Sequence, residues 1–158
     1  MAARVPTTTS TNWAATALHL LILACLAGLA VMIGVDLIWG AIVYLTWSWG
    51  SRLIVTREHR AGIRHVKAGR FAEAIPFFER SAAFFQRNAW VDRYRAVVLL
   101  SPSNWGYREM GLANIAFCQG QLGNGKEAIA LYESLLAEYP GSTLAETPLR
   151  MMRAAQAT

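Results

Sequence analysis

Between residues 14 and 53 the chain carries one acidic residue (Asp36), one histidine (His19) and one base (Arg52, next to the end). Nothing else in the sequence limits the fold as strongly. A bilayer core takes about 20 helical residues at about 1.5 Å each, and this run is twice that length. As one straight helix it would extend roughly 60 Å and leave half its apolar surface outside the hydrocarbon. Two spans fit better, over 14–33 and 37–54. They would be joined at Gly34-Val35-Asp36, where glycine supplies a permissive backbone and aspartate a polar group for the headgroup layer. One long, tilted or broken span is the alternative. In the two-span reading Trp13, Trp47 and Trp49 fall at one interface and Trp39 near the other, as tryptophans prefer. Ala24, Gly28, Gly40 and Ala41 are small enough for close approach of the spans. A cleavable signal fits poorly because the n-region is weak and the run too long.

The remaining two thirds has ordinary soluble composition, so the boundary lies near residue 52: a flexible tail over 1–12, an anchor over 13–54, and a helical domain over 55–158. From Arg52 to Arg70 six bases face one acid (Glu58), and elsewhere bases and acids cancel, so this segment holds the whole net charge of +5. By the positive-inside rule the segment is cytoplasmic. The expected location is therefore a cytoplasmic membrane of bacterial type, with the helical domain on the cytoplasmic side. Arg57, Arg60, Arg64 and Lys67 recur at helical spacing within about 80° of one face, suited to anionic lipid headgroups or an acidic partner. Nucleic acid fits worse, because the charge cancels everywhere else.

Past Arg52 the apolar residues follow a helical period with no strand-like alternation. Helices are predicted over 56–68, 72–87, 103–121, 125–138 and 143–155. Gly69, Gly123 and Pro140-Gly141 mark stops, and Ser101-Pro102-Ser103 an N-terminal cap for the third. The stretch 88–102 reads as an insertion, with Tyr94, Val97 and Val98 suggesting a further turn of helix. The chain also repeats itself. Gly62, Gly69, Ala74-Ile75 and Phe78 align with Ala116, Gly123, Ala128-Ile129 and Tyr132. Small residues let paired helices approach, glycine turns the chain, and the aromatic fills the groove above the small residue.

This pattern resembles the tetratricopeptide repeat (TPR). The first copy supplies Gly62, Gly69, Ala74, Phe78 and Ser81; the second supplies Ala116, Gly123, Ala128, Tyr132 and Pro140, with Leu135 where the family usually has a small residue. Ala74 and Ala128 are 54 residues apart, about 20 beyond the 34-residue period. The implied fold is all-α: an N-terminal transmembrane hairpin followed by a short TPR-like solenoid of about two repeats and a capping helix. The resemblance implies a concave peptide-binding surface lined by His59, Ile63, Val66, Met110, Ala113, Asn114, Phe117 and Gln121. His59 and Ile63 stand where some family members carry a carboxylate clamp, and only Asn114 matches it, so a mixed apolar groove is expected.

No catalytic constellation emerges. His59 and His65 are six residues apart, about 240° around a helix, and cannot chelate one metal from one face. Cys25 lies in the apolar run and Cys118 in a helical pattern, and the eight glutamates look like solvated helix faces. No metal, cofactor or enzymatic activity is expected. The expected role is a membrane-tethered TPR adaptor or assembly factor that binds a protein partner. The alternative is a structural accessory subunit of a larger membrane complex, binding through its transmembrane helices. Oligomerisation is left open.

Overall fold

The computed structural model describes residues 11–156, so nearly all of the expected tail over 1–12 lies outside the described residues. Among those, regular structure is helical: α1 Trp13–Met32, α2 Leu37–Val55, α3 Arg57–Lys67, α4 Phe71–Arg87, α5 Ala89–Arg93, α6 Arg95–Val98, α7 Tyr107–Gln121, α8 Gly125–Glu138 and α9 Thr143–Gln156. They divide into two compact units. Among the described residues one comprises 11–57 with Ala89–Gly106, the other Glu58–Asn88 with 107–156. The segment read as an insertion in the helical domain is thus grouped with the apolar helices.

In the first unit, α1 starts where the Asn12 side chain accepts a hydrogen bond from the Ala15 amide at 3.1 Å, filling one of the unpaired donors of a helix start. It stops at Gly34, whose φ of +78° lets the Val35 amide reach back to the Ala30 carbonyl at 3.0 Å. The same closure, with glycine in the left-handed region, ends α3 at Gly69 and α7 at Gly123. α2 then packs on α1 at Gly40, where a Cβ would lie 2.8 Å from the Leu26 carbonyl oxygen. Only a glycine lets the backbones come so near. Gly28 has open space around it and Ala24 is exposed, so neither makes the expected approach.

The two helices bury small and polar residues, namely Ala15, His19, Ala30, Gly40 and Ser48. Their large apolar side chains, among them Leu20, Leu29, Ile38 and Val43, point outward. Among the described residues α1 alone is long and apolar enough to cross a membrane. In α2 the second half brings in Thr46, Ser48, Ser51 and Arg52, which lower its apolar character.

The rest of this unit is held by side chains that seek backbone carbonyls. His19 Nε2 lies 2.8 Å from the Ala96 carbonyl oxygen; a carbonyl only accepts, so this ring nitrogen carries the proton. The Trp47 indole donates to Val98 at 3.1 Å, and Arg52 donates to both Leu99 and Leu100. Leu100 adopts φ +45°, the described non-glycine residue with positive φ. Arg95 gathers the carbonyls of Asp92, Ser103 and Asn104 at 2.9, 3.2 and 2.7 Å. The Ser103 hydroxyl closes a local turn with the Trp105 amide and carbonyl. It therefore caps no helix, and α7 begins at Tyr107, four residues later than the sequence suggests.

In the second unit α4 packs on α7, α7 on α8, and α8 on α9. One core cluster joins Val66, Ala74, Phe78, Ile115 and Cys118; another joins Ala116, Tyr132, Leu135, Ala145 and Leu149. The repeated residues do the packing expected of them. A Cβ on Gly62 would lie 2.7 Å from the ring of fully buried Phe78, and the matching Ala116 and Tyr132 share the second cluster. α9 runs through Pro148 without interruption.

Candidate partner-binding surface

α7 is the middle helix of the second unit. Gly111, Ile115, Ala116 and Cys118 turn inward and are buried. Met110, Ala113, Asn114 and Phe117 lie half-buried and Gln121 exposed; spaced three, four, seven and eleven residues from Met110, they stay within about 60–100° of one face. The Phe71 and Phe117 rings meet edge-on with centroids 6.0 Å apart, which fixes the aromatic end of this stripe. Ile63 on α3 is also half-buried.

Two of the expected lining residues are not available there. Val66 is buried in the first core cluster, because α3 turns that face toward α4 and α7. His59 is buried as well, its ring edge-on to Phe78 and to Tyr107 with both centroids 5.5 Å away. Its Nδ1 has no hydrogen-bond partner, and burial pushes its pKa down to about 4, since a charged ring would lose its hydration. His59 thus works as a neutral core aromatic. A histidine one turn into an amphipathic helix gives no sequence signal that separates these roles.

Of the basic stripe, Arg60, Arg64 and Lys67 are exposed on α3 within the second unit, while Arg57, which opens α3, falls in the first. His65 stacks on Phe77 at 4.8 Å and lies 3.3 Å from Glu73, so it is separated in role from His59. Burial pushes the Cys118 thiol up to about 11 and, as the main cause, the Tyr132 phenol up to about 12; both belong to the packed interior. Among the described residues no three of His, Cys, Asp and Glu gather where a metal ion could sit.

Sequence reasoning missed Glu109. It is buried and accepts a 2.6 Å hydrogen bond from the Ser142 hydroxyl at the start of α9. The expectation that the glutamates lie on solvated faces therefore fails at this position, where an α7 carboxylate positions the last helix. No protein-family model matches the chain, and no curated protein or solved structure does so at a significant level.

Proposed function

We propose that this chain is a membrane-tethered, TPR-like adaptor whose second unit holds a protein partner along the α7 stripe. The observation that carries this reading is that stripe itself. α7 is packed by α4 on one side and α8 on the other, yet Met110, Ala113, Asn114, Phe117 and Gln121 retain accessible surface. Apolar groups flanked by two side-chain amides suit an extended peptide, which needs both burial and hydrogen bonds along its backbone. The repeated small–Gly–Ala–aromatic pattern supports the TPR likeness, and the Gly62–Phe78 contact gives it a packing role.

The tether is α1, and with α2 it forms a membrane hairpin. What supports the hairpin is its reversed pattern, small and polar inside and apolar outside, which suits a surface solvated by lipid. Exposed Arg60, Arg64 and Lys67 then favour anionic headgroups or an acidic partner, by about 1 kcal/mol for each base near the surface.

The test is affinity purification of the full-length protein in mild detergent, comparing the wild type with two variants. Met110→Glu combined with Asn114→Ala is expected to release a stoichiometric partner, and Leu20→Ser on the outward face of α1 to keep it. The reverse result would reject the stripe in favour of an accessory subunit bound through its membrane helices.

A further inference from the structure

We infer that the insert, through Trp90, Tyr94 and Val97, docks into the headgroup layer of the bilayer that α1 crosses; this rests on the spanning reading of α1 given above. The insert is bound to one end of the α1–α2 pair. The Asn12 amide, just before α1, donates to the Pro102 carbonyl at 2.8 Å; His19 sits two turns into α1, and Trp47 and Arg52 lie in the last half of α2. In a pair of helices joined by a short turn, those positions are neighbours, and they mark the end opposite Gly34.

What these contacts satisfy is as informative as where they lie. The carbonyls of Ala96, Val98, Leu99, Leu100 and Pro102 are all taken by donors of the same unit, and Arg95 takes three more. Leu99, Leu100 and Ser101 are buried, so the carbonyls there need partners within the protein, and this pairing holds the insert firmly against α1 and α2.

The side chains turned away from those contacts complete the picture. Trp90 is 58% exposed, Tyr94 56% and Val97 38%, at a spacing of four and three residues that gathers them on one side of the helical turns. Exposed Arg93 places its guanidinium 6.0 Å from the Tyr94 ring centre, and a long arginine stem beside an interfacial ring can carry its charge out to water. All six tryptophans of the chain fall in this unit. Of these, Trp13 and Trp49, at the same end of the pair, are 79% and 68% exposed. An indole or phenol, with an apolar body and one polar tip, is what the headgroup boundary selects. The surface alone is too small for stable binding, but α1 already holds it at the membrane, so association costs little further entropy.

The experiment uses the full-length chain in phosphatidylcholine vesicles whose lipids are brominated either near the headgroup or near the chain terminus. A polarity-sensitive dye is placed at position 97 by Val97→Cys in a Cys25→Ala background, Cys118 being fully buried. A second sample carries the dye on native, exposed Cys25 in mid-α1. The position-97 dye should be quenched more by the shallow bromines than by the deep ones, and the Cys25 dye mainly by the deep ones. Adding Trp90→Ser and Tyr94→Ser should abolish most of the shallow quenching at 97. Quenching at Cys25 but none at 97 overturns the docking and leaves the spanning reading intact; quenching at neither overturns both. Quenching at 97 that survives the two serine substitutions also overturns the proposal, since the dye would then be inserting by itself.

Discussion

The two units divide tryptophan and phenylalanine without overlap: all six tryptophans lie in the first and all six phenylalanines in the second, while tyrosines occur in both. The difference shows what each unit is built to face. Phenylalanine has no polar atom and is best placed where water is excluded on every side, as Phe78 and Phe85 are. Tryptophan has a large apolar body and one N–H that needs a partner. It suits a boundary, and Trp47 uses its N–H on a carbonyl while leaving much of its ring outside. Burial differs too: the α1–α2 pair hides Ala, Gly, Ser and His, whereas the core clusters of the second unit are built from Phe, Leu, Tyr, Val, Ile, Cys and Ala.

The largest break of this contrast should come from the second core. Phe78→Ala removes a fully buried ring, at a cost of about 3–5 kcal/mol. Hydrogen exchange should show α4 and α7 amides losing protection, while Trp emission, which reports only the first unit, stays unchanged in detergent. Leu29→Ala, on the outward face of α1, should stay within about 0.5 kcal/mol in the same detergent.

A second expectation concerns acid. An unfolded His59 takes up a proton near 6.5, the folded one only near 4. As pH falls through that interval the unfolded chain binds the proton first, so stability drops by roughly 3 kcal/mol and levels off below it. Denaturant midpoints measured across the interval check this, and His59→Phe should remove the slope.

Gly40 and Gly28 sharpen the comparison within the first unit. At Gly40 an added Cβ meets the backbone of Leu26 and Ala27, whereas at Gly28 it meets nothing within 4 Å. Gly40→Ala should cost about 1–3 kcal/mol. Gly28→Ala should gain up to about 1 kcal/mol from helix propensity. Opposite shifts in the thermal midpoint of Trp emission would establish that one glycine sets the approach.

The smallest effect belongs to the surface of the second unit. Arg108 grips Glu138 with two hydrogen bonds, at 2.7 and 2.9 Å, and this hydrogen bond is the main reason the Glu138 carboxyl stays below its ordinary 4.5. The pair therefore stabilises above that pH and is lost as the pH falls through the lowered value. Partial exposure screens it, so Glu138→Gln should cost under about 1 kcal/mol at neutral pH and nothing in strong acid; denaturant midpoints at the two pH values check it.

Much of this arrangement was legible beforehand because local signals carry it. The ends of α2, α4, α8 and α9 fall within a residue or two of expectation, since apolar periodicity and glycine turns are written in consecutive residues. The start of α7 was misplaced because Ser103 has the chemistry of a cap and uses it on a two-residue turn. The candidate stripe was half legible: the spacing on α7 is local, but whether His59 and Val66 look inward depends on where α4 and α7 lie.

By itself the sequence determined that the chain is helical, that its first third is apolar enough to supply a bilayer-crossing helix, and that a packing pattern recurs. Each of these depends on neighbours within a turn or two. Only the tertiary structure decided where residues 89–106 belong. The hydrogen bonds that tie them to α1 and α2 join residues 47 to 77 positions apart, and such pairings leave no periodic trace. Tertiary packing likewise buried Glu109 against Ser142 and left His59 neutral, because burial and partner are properties of assembled helices rather than of any one of them.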